Sequence, residues 1–111
     1  MRNAPISQVD IEQEIIRMSD LLESETEAFE VLAVDAAKKD AQYKAAWAKE
    51  YLSANGSIKE RESWADYKMA DDHYHMKIAE ALLKSKREKL YSLRTSMDAL
   101  RTLSANVRAQ T

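Results

Sequence analysis

Helix-breaking chemistry inside this chain is concentrated in one run, Ala54-Asn55-Gly56-Ser57-Ile58-Lys59-Glu60, and that concentration limits the folds open to it. Gly56 is the only glycine among 111 residues and Pro5 the only proline, so sandwiches, barrels and doubly wound sheets lack the turn residues they need. Alanine, with 17 occurrences, and leucine, with 10, supply good helix formers instead. The expected fold class is all-α. Gly56 can take the left-handed conformation that closes a helix, with Asn55 beside it. Ser57 followed by Glu60 is a capping box: the hydroxyl accepts from the Glu60 amide while the carboxylate reaches back to the amide of Ser57. Pro5 just before Ser7, and Ser7 with Asp10, form a weaker start signal at the other end. One domain over 1–111 is predicted, with a helix from about 7 to 54, a turn at 55–57 and a helix from about 57 to 109.

The apolar residues between these signals recur at spacings of three and four. On the first helix they are Ile11, Ile15, Met18, Leu22, Phe29, Leu32, Ala36, Tyr43 and Ala46, interrupted by Glu25 and Lys39. The second carries Ala65, Met69, Met76, Ala79, Leu83, Leu90, Leu93, Met97, Leu100 and Val107, with Asp72, Lys86 and Ser104 as polar exceptions. Such a seam signals a coiled coil, and so short a link makes the helices an antiparallel hairpin. A pivot at Asn55 and Gly56 sets residues opposite each other when their numbers sum to 111 or 112. Glu23, Glu25, Glu27 and Glu30 then face Lys84, Lys86, Arg87 and Lys89, and Trp47 faces Trp64. These charges select register more than they stabilise. Ile16, Leu21, Val31, Val34, Ile78, Leu82 and Leu103 lie off the seam, and covering them calls for further copies, hence a homo-oligomer.

Several chemistries have no foundation in these residues. Without cysteine there is no disulfide framework, thiolate nucleophile or zinc ribbon, which fits a cytoplasmic protein. No apolar run has the length of a membrane span or signal peptide, so no membrane partner is expected. His73 and His75, two apart on a helix, point about 200° away from one another and cannot share a metal ion, while Asp71 with His75 reads as a surface pair. No nucleophile with its base, no phosphate loop and no paired-carboxylate pocket is present, so neither an enzyme nor a cofactor is expected.

Charge is distributed unevenly. The formal net charge is −2, yet the part before Gly56 carries −5 and the part after it +3. From Lys84 to Arg108 the chain holds Lys84, Lys86, Arg87, Lys89, Arg94, Arg101 and Arg108 against Glu88 and Asp98 alone, a local charge of +5. A basic helix face can neutralise phosphates. Much of this charge answers the acidic first helix, whereas Arg101 and Arg108 face the less acidic start of the chain. Tyr43, Trp47, Tyr51, Trp64, Tyr67 and Tyr74 crowd towards the turn, where core packing accounts for them more simply than base stacking.

The stretch from Tyr43 to Thr111, about 60% of the chain, resembles small helical proteins of tailed bacteriophages, especially those of actinobacteria. The resemblance lies in an alanine-rich helix leading into Gly56, Ser57, Lys59, Glu60 and Arg61, and in a leucine-spaced ending with Leu100, Arg101, Leu103, Asn106 and Arg108. At greater distance the arrangement is similar to the recombination mediators of T-even phages, short helical proteins that form rings and bind single-stranded DNA. They help load recombinase onto strands coated by single-strand-binding protein. The resemblance implies a non-enzymatic recombination or replication accessory in the bacterial host's cytoplasm. It would self-associate, bind single-stranded DNA through the seven basic residues above, and meet a recombinase or single-strand-binding protein. The alternative is a helical protein-protein module, a scaffold or small phage inhibitor of a host protein, that touches no nucleic acid. The state of Lys84, Lys86, Arg87 and Lys89 separates the two: tied to the chain's own glutamates they favour the module, and lining an open face they favour DNA.

Overall fold

A computed structural model describes residues 6–110. Among the described residues there are three helices and no strand: α1 (Gln8–Ser53), α2 (Ile58–Lys68) and α3 (Ala70–Ala109). The start of α1 follows from its cap, because the Ser7 hydroxyl accepts from the backbone amide of Asp10 at 3.1 Å. Pro5, the other part of that signal, lies outside the described residues. The helix then continues for 46 residues, straight through Glu23–Glu30, where its apolar seam is weakest.

The turn forms where its residues dictate. Gly56 has φ 112°, a conformation that side chains rarely take, and it ends the excursion out of α1. Ser57 caps α2 by accepting from the Glu60 amide at 3.2 Å. The reciprocal half of the capping box differs in detail: the Glu60 carboxylate accepts from the Ser57 hydroxyl at 3.1 Å rather than from its amide. The Arg61 guanidinium adds a tie by donating to the Ala54 carbonyl at 3.1 Å, one of the acceptors left over at the end of α1.

The single second helix expected over about 57–109 is instead two helices meeting at Met69, where the backbone moves to φ −102° and ψ 12°. No glycine or proline marks this place. Hydrogen bonds of helical spacing persist on both sides, from the Met69 amide to Ala65 O at 2.9 Å and from the His73 amide to Met69 O at 2.8 Å. The Met69 side chain stays buried in the seam, as does Ala65. The backbone thus departs from the helix at Met69 while the packing of its side chain is kept, and no residue type marks the place.

The chain divides into two compact units, one formed by Met1–Ala28 with Lys86–Thr111 and one by Phe29–Ser85. In the first, the start of α1 packs antiparallel to the end of α3 over Ile11, Met18, Leu90 and Met97, with Ser104 buried at the same seam. The Gln8 side-chain amide donates to Ser104 Oγ at 2.8 Å, and Lys86 meets Glu25, so the register expected from the hairpin holds in this unit. In the second unit, the rest of α1 packs against α2 and the start of α3 over Ala36, Ala65, Met69, Met76 and Ala79. Near the turn each tryptophan reaches the facing helix. The Trp47 indole donates to Asp66 at 2.8 Å, two residues past the Trp64 expected opposite it, and the Trp64 indole donates to Glu50 at 3.1 Å.

Every apolar seam residue named from the sequence is buried or half-buried. Among the described residues no large side chain is completely enclosed, because two facing helices cover only one stripe of each other. Of the off-seam residues, Ile16, Val31, Val34, Ile78 and Leu82 are exposed, while Leu21 and Leu103 are half-buried.

Candidate nucleic-acid interface

The basic tract lies on α3, whose uninterrupted helix fixes the direction of each side chain. On this helix Met76, Leu90, Met97 and Ser104 are buried and Leu83 half-buried, a frame that repeats every seven residues. Counting from that frame, Arg87, Arg94, Arg101 and Arg108 occupy one heptad position, four residues after the buried one, and form a single row beside the seam of the first unit. Successive arginines are two helical turns, roughly 10.5 Å, apart. The spacing of seven was present in the sequence; its meaning needed the buried frame that puts the row at the edge of the seam.

The seven basic residues are thus not equivalent. Lys86 and Lys89 are both engaged by Glu25, at 2.6 and 3.1 Å. Their hydrogen bonds, Lys86 first and Lys89 second, hold the Glu25 carboxyl below its ordinary value against the opposing effect of desolvation. Arg101 pairs with Asp98 one turn back at 3.4 Å, with both side chains well exposed. Arg108 donates to Ser104 Oγ at 3.3 Å. Arg94 is exposed and has no hydrogen bond or ion pair among the described residues, and Lys84, in the second unit, is likewise exposed and unpaired among them. Within the row, Arg94 is thus the arginine without a hydrogen bond or ion pair among the described residues, while Lys86 and Lys89 both close on Glu25 of the facing helix.

The aromatic residues of the second unit divide in a way that packing alone did not suggest. Tyr43, Trp47 and Tyr51 are half-buried, but Trp64, Tyr67 and Tyr74 are exposed, at 42, 76 and 61%. Core filling therefore does not account for the second set. Trp47 stacks on Tyr51 at 5.5 Å with an interplanar angle of 12°, Arg61 lies 5.7 Å from the Tyr51 ring, and Lys68 lies 5.3 Å from the Trp64 ring. A cation beside an exposed ring, as Lys68 is beside Trp64, suits a flat, anionic ligand. His75 and Asp71 form the expected surface pair at 3.6 Å, and no group of three metal-binding side chains occurs among the described residues. No helix among them is long and apolar enough to cross a membrane.

Comparison with protein-family models, curated proteins and solved structures finds no match for this chain.

Proposed function

We propose that this protein is a non-enzymatic accessory of phage DNA recombination or replication that self-associates and holds single-stranded DNA along the arginine row of α3. The observation that carries this reading is the alignment of Arg87, Arg94, Arg101 and Arg108 on one helix edge. A guanidinium offers phosphate a planar fork of donors, so a row of them tracks a backbone without reading bases. One chain supplies few contacts; several copies presenting the same row would bind by multivalency. The phage resemblance supports the recombination context, the cytoplasm of a bacterial host, and a recombinase or single-strand-binding protein as further partners. Non-specific binding of this kind is electrostatic, and each phosphate contact to a single strand contributes roughly 0.7 to the slope of log affinity against log salt.

Fluorescence anisotropy with a labelled oligonucleotide, from low to rising salt, tests the reading. Binding should be tight only at low salt, indifferent to base sequence, and both weaker and less salt-dependent in the combined variant Arg94→Gln, Arg101→Gln and Arg108→Gln. Unchanged helicity would show that the variant remains folded. A second reading is favoured by one specific observation, the capture of Lys86 and Lys89 by Glu25, which spends part of the basic tract inside the molecule. It makes the protein a helical interaction module or inhibitor of a host protein. Absence of DNA binding at low salt would decide for it.

A further inference from the structure

In the second unit, α1 carries a second seam on the side away from α2 and α3. Val31, Val34, Ala41, Ala45, Ala48 and Leu52 follow one another at spacings of three and four once Lys38 is counted between Val34 and Ala41. All seven are exposed, and the largest apolar ones strongly so: Val31 at 70%, Val34 at 58% and Leu52 at 75%. The stripe has the same period as the buried seam of this helix, so it has the form of a coiled-coil contact rather than of scattered apolar residues.

We infer that this stripe is the contact by which two copies of the chain pair, α1 against α1, antiparallel about a two-fold axis near Ala41. The inference deepens the self-association in the function proposed above and rests on that part of it. Antiparallel pairing of the stripe with itself sets residues opposite when their numbers sum to 82 or 83. Val31 then meets Leu52 of the second copy, Val34 meets its Ala48, Lys38 its Ala45, and Ala41 meets Ala41. The large residues fall at the two ends and the alanines let the helices approach in the middle.

Flanking charge selects the same arrangement. Asp35 falls beside Lys49 of the second copy, and the two-fold repeats the pair. Asp35 otherwise holds only the exposed Lys39 on its own helix, at 3.0 Å, and Lys49 has no partner among the described residues. An exposed pair within one helix is weak and readily exchanged. Parallel pairing in register would instead put Lys38 against Lys38 within the seam, which like-charge repulsion opposes.

The absence of cysteine makes the test direct. Under mild oxidation Ala41→Cys alone should give a disulfide-linked dimer. Val31→Cys alone should not, while a mixture of Val31→Cys and Leu52→Cys should. Sedimentation equilibrium should show Asp35→Lys weakening the dimer about tenfold, through the loss of two pairs and the repulsion that replaces them, with Asp35→Lys plus Lys49→Asp restoring it. Efficient linkage through Val31→Cys alone would overturn the antiparallel arrangement. If the unaltered protein has the mass of a multimer but Ala41→Cys does not link, this interface is wrong and self-association stands. If the unaltered protein is a monomer at all concentrations, self-association itself fails and the interface with it.

Discussion

Lys86 places its ammonium 2.6 Å from a carboxylate oxygen of Glu25, on the facing helix of the first unit, at a level where the apolar seam is interrupted on both sides. Both side chains are largely covered, Glu25 at 14% and Lys86 at 23% exposure, and Lys89 closes on the other carboxylate oxygen at 3.1 Å. The two interruptions of the hydrophobic pattern thus answer each other. A polar layer of this kind fixes register, since sliding either helix by a turn would leave a shielded charge without its partner.

The first prediction concerns pH. The Glu25 carboxyl is held below its ordinary value, chiefly by the hydrogen bond from Lys86, so the folded state binds its proton less readily than the unfolded chain. Its contribution to stability is complete above the ordinary carboxylate range and is lost as pH falls through the depressed value. The melting temperature of the unaltered protein should fall over that acid interval more than that of Glu25→Gln. Parallel pH profiles would show that the ion pair has no part in acid unfolding.

A second prediction separates the pair's stability from its role in register. Glu25→Leu alone should lower the urea midpoint, because it leaves Lys86 covered without its carboxylate. Adding Lys86→Leu should recover the loss or exceed it, since two apolar side chains need no desolvation penalty to be repaid. The gain in stability should come with looser helix register, visible as faster hydrogen exchange on either side of this level.

The turn provides a third. Gly56→Ala places a Cβ at φ 112° and 2.8 Å from a Glu60 carboxylate oxygen. The side chain can swing aside, but the backbone cannot change without disturbing the cap, so the expected loss is about 1–2 kcal/mol. Denaturant unfolding measures it, and a variant as stable as the parent would mean that the connection tolerates another backbone path.

Core packing yields the fourth. Met97 is 4% exposed, and Met97→Ala should destabilise the protein by about 2 kcal/mol, at the low end for such truncations because an open two-helix seam can relax around the gap. Val31→Ala, on the exposed stripe, should leave the stability of a dilute sample almost unchanged. The contrast distinguishes the buried seam, to which Met97 belongs on α3, from the exposed stripe of α1 by burial alone.

The residues by themselves determined the helices' existence, the turn and the seam. Gly56 and Ser57 are effective locally: a positive φ and a cap act over one turn of chain, and apolar residues spaced three and four apart have one way to share a helix face. The basic tract was legible as charge, but its division into a lysine pair bound by Glu25 and an arginine row beside the seam was not, because charge on a string of letters has no direction. Only the folded chain shows the break at Met69, where the backbone leaves the helix while the side chain stays buried. Tertiary structure also decided which rings near the turn are covered: Tyr43, Trp47 and Tyr51 are half-buried, while Trp64, Tyr67 and Tyr74 are exposed. Local chemistry acts through bonded neighbours and can be read along the chain. Exposure and pairing depend on which surfaces meet, and only the folded chain brings them together.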